Sequence, residues 1–182
     1  MAKNCNVVLI RHAEKPASGT GLAVAGQERA QAYTIYFQNY MVNSSLFKPD
    51  YIFCSTDSSN SDRPYLTVEP LATILGLTID TKHADKDYKK VADDILQNSK
   101  YDNKNVLVCW HHGEILALAA DLGASASTLP ASSNWPVTWP GDVFGWLLQV
   151  CFDGKGNIIT ADTFCISEQL MYDDNGQTPP AG

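Results

Sequence analysis

Short apolar runs alternate with stretches of helical periodicity along most of the chain. Residues 6–10 read Asn-Val-Val-Leu-Ile, and the four consecutive apolar side chains predict a strand that is buried on both faces. After Gly26 the apolar positions recur at three- and four-residue spacing, which predicts a helix with one buried face. Those positions are Ala30, Tyr33, Phe37, Tyr40 and Met41. The alternation predicts an α/β fold with parallel strands.

The rest of the chain continues this alternation and ends in a hairpin. Further strands are predicted at residues 51–54, 77–80 and 106–110, and helices from Ser61 towards Gly76, at 89–97 and at 114–122. Pro70 lies inside the second helical pattern and predicts a kink or a break there. Residues 144–152 and 158–166 flank a Gly-rich turn, and they predict an antiparallel hairpin that closes the sheet.

Two segments lack a regular pattern. Residues 124–142 carry three prolines and no clear period, which predicts a long loop of the kind usually kept for function. Residues 173–182 predict a disordered tail. Because the chain shows neither an internal repeat nor a linker, we expect a single domain over residues 1–172.

Composition excludes several classes of protein. The chain has 182 residues with 13 basic and 20 acidic side chains, a net charge of −7. An acidic chain without a long basic run is not a general nucleic-acid binder. Its apolar runs fall well short of the roughly 20 residues of a membrane span. Five cysteines without CxxC spacing are read as buried free thiols, so we expect a cytoplasmic protein with neither a nucleic-acid nor a membrane partner.

Arginine and histidine side chains follow three of the predicted strands. Arg11 and His12 come directly after the first strand, Arg63 begins the helix after the second, and His111 and His112 follow the fourth. The carboxyl ends of parallel strands meet at one edge of a sheet, so we expect these side chains to lie together. Such a cluster is costly unless an anion binds to it. Forked guanidinium donors and helix amides suit a phosphate group.

The same cluster predicts a reaction. Two arginines and one histidine bind the nonbridging oxygens of a phosphoryl group, and the other histidine attacks phosphorus as a neutral imidazole. Water then hydrolyses the phosphohistidine, while the arginines stabilise the charge on the phosphoryl oxygens. The scheme requires neither a metal nor a cofactor.

Four ordered segments resemble the histidine phosphatase superfamily, also described as phosphoglycerate mutase-like. They are the signature Arg-His-Ala-Glu-Lys at 11–15, a Gly-x-x-Arg-Ala segment within 21–30, a second-arginine helix at 61–72, and the strand with its histidine at 106–113. The resemblance covers about residues 5–122, and residues 139–146 are similar to the closing strand of the smaller members. It implies a three-layer sandwich in which helices cover both faces of a mostly parallel sheet that ends in an antiparallel hairpin.

The resemblance also implies roles for single residues. His12 would carry the phosphoryl group, and Arg11, Arg63 and the second histidine would bind it. Glu14 would support the site. Related chains often read Trp-Glu-His where this one reads Trp-His-His, so we favour His112 as the phosphate ligand and place His111 in support; the reverse assignment stays open.

The general acid is not identified by a motif. Related enzymes place an acidic donor in the stretch occupied here by residues 82–87, so Asp85 and Asp87 are candidates, and Glu114 is a third. The glutamate pattern of the mutases after the third strand is not found, which favours a phosphatase over a mutase.

Three functions are compatible with these residues. The leading expectation is a metal-independent phosphomonoester hydrolase that acts on a phosphorylated small molecule. An alternative is a non-catalytic phosphate- or phosphoprotein-binding module of the same fold. A metal hydrolase with His12, His111, His112 and Glu114 as ligands is disfavoured, because two arginines would repel the cation. The sequence leaves the physiological substrate and the oligomeric state open.

Overall fold

The computed structural model describes residues 2–176 and residue 179. Its strands are β1 (Asn6–Arg11), β2 (Met41–Val42), β3 (Ser45–Leu46), β4 (Tyr51–Cys54), β5 (Ile79–Asp80), β6 (Asn105–Trp110), β7 (Trp146–Cys151) and β8 (Phe164–Ser167). Six of them form one sheet in the order β5-β4-β6-β1-β7-β8. Strands β5, β4, β6 and β1 are parallel, whereas β7 is antiparallel to both β1 and β8. The predicted sheet, mostly parallel with an antiparallel end, is confirmed.

Four α-helices cover the two faces of this sheet: α1 (Val24–Asn39), α2 (Arg63–Leu75), α3 (Tyr88–Gln97) and α4 (Ile115–Asp121). Helices α1 and α2 pack against one face through Phe37 and Leu71. Helices α3 and α4 pack against the other face through Val91 and Leu118. Because alternate residues of a strand point to opposite faces, the apolar run of β1 supplies Val8 to one core and Val7 to the other. The result is the expected three-layer sandwich.

Several predicted boundaries shift for local reasons. The third parallel strand is shorter than predicted, because Gly76 ends α2 in a left-handed conformation and the Leu77 amide donates to the Ala72 carbonyl. The hairpin of β2 and β3 was not predicted; its turn residues Asn43 and Ser44 both have positive φ, as a tight two-residue turn requires.

Of the kink or break predicted at Pro70, the break is wrong. Helix α2 runs through Pro70 as one element from Arg63 to Leu75. A proline removes one intrahelical hydrogen bond. Here the flanking side chains Val68 and Leu71 are fully buried against the sheet, so packing holds the helix across that position.

The irregular segments are more ordered than their sequences indicate. In the loop at 124–142, Trp135 and Trp139 are buried in the core beneath α4, and the Trp139 indole donates to the Val143 carbonyl at 2.8 Å. Residues 173–176 of the predicted disordered tail instead form the end of a 3₁₀ helix, Tyr172–Gly176, in which Asp174 is buried. The rest of that predicted tail lies outside the described residues, apart from residue 179.

All five cysteines are buried and carry free thiols, as predicted.

None of the helices in residues 2–176 combines the length and the apolar character needed to cross a membrane.

Candidate active site

Neighbouring strands β1 and β6 bring the histidines together. Arg11 pairs with Trp110 in the parallel register, and the His12 amide donates to the Trp110 carbonyl at 3.0 Å. The next residue along β6 is His111, whose ring lies edge-on to that of His12 with 5.0 Å between their centroids. The structure therefore places the two motifs that follow these strands side by side.

His12 is held as a neutral imidazole. It is 3% exposed, and its Nδ1 lies 2.8 Å from the Ala13 carbonyl oxygen. Because a carbonyl only accepts, Nδ1 carries the proton in this contact and Nε2 keeps its lone pair. Burial is the largest cause that lowers the pKa of His12 to about 3; the Ala13 contact acts in the opposite direction, and the charges of Arg11 and Arg63 act with burial. At neutral pH the ring is uncharged and available as a nucleophile.

Arg11 is fully buried and holds the loop that follows Trp139. Its Nη1 donates to the Val143 carbonyl at 2.6 Å, and its Nη2 donates to the Gly141 carbonyl at 2.9 Å. The Phe144 ring lies over the guanidinium, with 3.8 Å from Cζ to the ring centroid. Burial lowers the pKa of Arg11 to about 10, and nearby Arg63 acts in the same direction. The predicted strand at 144–152 begins only at Trp146, because this loop turns over Arg11 first.

Arg63, at the start of α2, holds two other loops in a similar way. Its Nη1 donates to the Thr20 carbonyl at 3.0 Å and to that of Gly19 at 3.2 Å. Its Nη2 donates to the Asn60 carbonyl at 3.3 Å. Each arginine thus uses the end of its fork to hold backbone, and the loops around the cluster are fixed by the side chains at its centre.

Three buried nitrogens of the cluster have no hydrogen-bond partner within the described chain: Arg11 Nε, Arg63 Nε and His112 Nδ1. Buried polar groups in proteins are nearly always satisfied, so unsatisfied donors of this kind call for a ligand. The two arginines supply a positive field, since Arg11 lowers the pKa of His12, His111 and His112, and Arg63 lowers that of His12 and His111. The set suits an anion with several acceptor oxygens.

The two histidines after β6 differ in position. His111 has its pKa lowered to about 4 by burial and by Arg63 and Arg11, and it contacts the His12 ring. His112 is less buried; its pKa is lowered by burial and by Arg11 and Lys15. Its Nε2 points towards Gly141 in the loop that Arg11 holds.

Thr67 links the backbone that follows His12 to the backbone of Arg63. Its hydroxyl accepts a hydrogen bond from the Ala13 amide at 2.8 Å and donates one to the Arg63 carbonyl at 2.8 Å. Sequence reasoning gave this residue no role, although it lies within the segment at 61–72 that carries the family resemblance.

The three candidate acids have different surroundings. Asp85 is half-buried; burial and then Glu114 raise its pKa, and its Oδ1 has no hydrogen-bond partner among the described residues. Glu114 forms an ion pair with Lys86. Asp87 is partly exposed, and its ion pair with Lys90 lowers its pKa. Burial and the neighbouring Glu114 therefore favour the neutral form of the Asp85 carboxyl.

Glu14 lies beside a second cluster of buried charges. The Arg29 guanidinium donates to both Glu14 oxygens, with the shortest contact at 2.6 Å from Nη2 to Oε1. Arg29 also pairs with Asp174 at 2.8 Å and with Glu168 at 3.4 Å. The family resemblance implies a supporting role for Glu14, but no sequence pattern points to the other three residues, which come from distant parts of the chain.

A metal centre is not evident. No group of three or more His, Cys, Asp or Glu side chains within residues 2–176 is arranged to hold a metal ion.

Comparison with solved structures places the fold among phosphatases. The chain matches the protein histidine phosphatase SixA complexed with tungstate, with a TM-score of 0.56 and 16% identity over 90% of this chain and 97% of that one. It matches a chain assigned as the phosphohistidine phosphatase SixA from Agrobacterium tumefaciens, with a TM-score of 0.52 and 20% identity over 81% of this chain and 92% of that one. A chain assigned as an alpha-ribazole-5'-P phosphatase from Escherichia coli K-12 matches with a TM-score of 0.53 and 14% identity, over 92% and 95%.

No protein-family model matches the chain, and no curated protein matches it. At these identities the solved structures show the fold alone. That fold is the one which the four sequence segments predict, the fold of the histidine phosphatases.

Proposed function

We propose that the protein is a metal-independent phosphomonoester hydrolase that acts through a phosphohistidine intermediate on His12. The observation that carries the proposal is the state of this ring, which is neutral, buried and tied through Nδ1 to the Ala13 carbonyl. Arg11, Arg63 and His111 lie near this ring, and Arg11 and His111 in turn lie near His112. Solved structures of the same fold are named as phosphatases, which supports this class of reaction.

The phosphoryl group is bound by Arg11, Arg63 and His112. Their unsatisfied Nε and Nδ1 donors supply hydrogen bonds to its nonbridging oxygens, and the two guanidinium groups balance its negative charge. His111 supports the site beside the nucleophile, where its ring contacts that of His12. Glu14 supports the backbone that follows His12.

The reaction proceeds in two transfers. His12 Nε2 attacks phosphorus, the bond to the leaving oxygen breaks, and that oxygen takes a proton from Asp85. A water molecule then gives its proton to the Asp85 carboxylate and attacks the same phosphorus, which releases inorganic phosphate and regenerates His12. Glu114 lies close enough to raise the pKa of Asp85, and it is the alternative acid.

The substrate is proposed to be a phosphorylated small molecule. Acidic side chains lie near the cluster, since Asp142 interacts with Arg11 and Glu114 with His111. These charges disfavour a polyanion such as a nucleic acid. Buried free thiols fit a reducing compartment, and we propose a cytoplasmic location on that basis.

The test is hydrolysis of 4-nitrophenyl phosphate in EDTA by the wild-type chain, His12→Ala and His83→Ala. His83 is the matched control because its ring binds Asp94 and it is not one of the three histidines of the cluster. We expect His12→Ala to lose at least about 10³-fold in kcat, as nucleophile removal does elsewhere, and His83→Ala to keep wild-type activity.

Vanadate titration accompanies the assay and separates the alternatives. Vanadate binding without turnover in the wild-type chain would support the non-catalytic module instead. A wild-type chain that neither binds vanadate nor turns over would overturn both functions.

A further inference from the structure

The end of the described chain is built into the buried cluster around Arg29. Asp174 is 1% exposed and lies in the 3₁₀ helix after β8. Its carboxylate accepts hydrogen bonds from Arg29 Nη2 at 2.8 Å and Nη1 at 3.0 Å, and from the Leu170 and Met171 amides at 3.0 Å each. Four hydrogen bonds to its two oxygens hold this carboxylate in one position.

One connection runs from Asp174 to the nucleophile. Arg29 lies between Asp174 and Glu14, and it binds both carboxylates through its fork. Glu14 follows His12 by two residues, and its carbonyl accepts a hydrogen bond from the Ala23 amide at 2.9 Å, just before α1. Gly26 of α1 lies so close to the Glu14 backbone that a Cβ there would overlap it. The backbone on which His12 sits is therefore braced by Arg29 and α1 together.

A second connection runs from Asp174 to Arg11. The Asp174 carboxylate packs directly on Gly145, where any side chain would collide with it. The Glu168 amide donates to the Gly145 carbonyl at 2.7 Å, which fixes that residue from the same side. Gly145 follows Phe144, whose ring covers the Arg11 guanidinium and lies 6.1 Å from the His12 ring. The Asp174 carboxylate is therefore connected through these contacts to both His12 and Arg11.

We propose that Asp174 is a positioning residue for phosphoryl transfer: through Arg29 and Glu14 it fixes the backbone of His12, and through Gly145 and Phe144 it fixes Arg11. The turn at residues 170–174 then belongs to the machinery of the site. The inference rests on the proposed function.

The charges around Arg29 explain why Asp174 contributes more than Glu168 to holding this guanidinium in place. Three carboxylates, from Glu14, Glu168 and Asp174, surround one guanidinium. Burial raises the pKa of Glu168 to about 8, against the lowering effect of Arg29, so at neutral pH this carboxyl is protonated and Tyr33 donates to it. The Arg29 guanidinium is then shared mainly by the two other carboxyl groups, those of Glu14 and Asp174. Removing either carboxylate frees one side of the Arg29 guanidinium, and the position of the remaining carboxylate then shifts.

The experiment compares Asp174→Asn with Asp173→Asn in the full chain. Asp173 is the exposed neighbour in the same turn and serves as the matched control. The measurements are kcat and KM with 4-nitrophenyl phosphate, the dissociation constant for vanadate, and Tm. Assays are run well below the Tm of each variant, and rates are divided by the vanadate-binding fraction so that unfolded protein does not count.

We expect Asp174→Asn to lower kcat by about 10- to 100-fold with a smaller change in KM, because a displacement of about 1 Å at a reacting group costs up to about 100-fold. Asp173→Asn should match the wild type. If Asp174→Asn only destabilised the fold, the vanadate-binding fraction would fall and kcat per folded molecule would stay unchanged. That result would overturn the inference.

Asp174→Glu is the second variant, for the case in which Asp174→Asn does not fold. It keeps the charge but moves the carboxylate by one methylene, so it should fold and show a kcat between those of the wild type and Asp174→Asn, about 3- to 10-fold below the wild type. Wild-type kcat in a folded Asp174→Glu would overturn the inference while leaving the proposed function intact. A wild-type chain without turnover would overturn the proposed function, and the inference with it.

Discussion

Two buried arginines in this molecule have opposite environments. Arg29 meets three carboxylates, and although burial alone would lower its pKa, Tyr33, Asp174 and the other carboxylates raise it above its usual range. Arg11 donates to the carbonyl oxygens of residues 140, 141 and 143, and burial lowers its pKa to about 10. Both side chains are 0–1% exposed, so burial does not distinguish them.

The difference separates a structural cation from one that can receive a ligand. A guanidinium surrounded by carboxylates has its charge compensated in the folded chain, and breaking such a buried set is strongly destabilising. A guanidinium held by carbonyl dipoles is fixed in place but keeps a positive charge that an anion can still neutralise. Backbone carbonyl groups therefore hold the Arg11 guanidinium in place, whereas carboxylate side chains hold that of Arg29.

The largest effect expected from this comparison is on stability. Arg29→Gln leaves the buried Glu168 and Asp174, and the partly buried Glu14, without their cation, so the free energy of unfolding should fall by about 3 to 5 kcal/mol. Urea denaturation followed by circular dichroism measures it. Lys90→Gln, which removes an exposed ion pair with Asp87, is the control and should stay within about 0.5 kcal/mol of the wild type. Equal losses in the two variants would remove the distinction between buried and exposed pairs here.

The next effect is on turnover. Arg63, like Arg11, is a cation held by carbonyl oxygens. Arg63→Ala removes it, so kcat/KM for 4-nitrophenyl phosphate should fall by a factor equivalent to about 3 to 4 kcal/mol of transition-state stabilisation. The loss of stability should be smaller than in Arg29→Gln, because Arg63 is bound to loop carbonyls. Lys15→Ala, the control at an exposed lysine near His112, should change kcat/KM by less than about 3-fold. Near-normal turnover in Arg63→Ala would contradict its role in phosphate binding.

The smallest effect is a pH dependence of stability. The pKa of Glu168 is about 8 in the folded chain against an ordinary value of 4.5. Between these values the folded state holds a proton that the unfolded state has lost, so this contribution to stability is lost as the pH rises through 8. Glu168→Gln removes the titration and should raise Tm more at pH 9 than at pH 6, by a few degrees. Thermal unfolding at the two pH values tests this, and an equal shift at both would show that Glu168 does not titrate in that range.

Much of the site is predictable from local sequence because its residues follow strands. The apolar run of β1 marks a central strand, and Arg11 and His12 lie at its carboxyl end. The same reasoning applied to β6 places His111 beside them. The parallel register that joins these strands follows from the alternation of strands and helices, so the meeting of the motifs is a consequence of topology.

The cluster around Arg29 could not be predicted in this way. Arg29 and Asp174 are separated by 145 residues, and no periodic pattern connects them. Asp173 and Asp174 lie in a polar, Gly- and Pro-containing stretch, which is typical of a disordered tail. Glu168 is buried as an acid, which patterns of hydrophobicity assign to the surface. Such residues depend on tertiary contacts that the local sequence does not encode.

The loops around the proposed site are held by their main chain. Arg11 and Arg63 bind carbonyl oxygens of residues 19, 20, 60, 140, 141 and 143, and every amino acid presents that oxygen. Mutations that change the side chains of these loops therefore leave the anchors intact. The side chains that line these loops can therefore change during evolution, or be redesigned in the laboratory, without rebuilding the proposed catalytic centre.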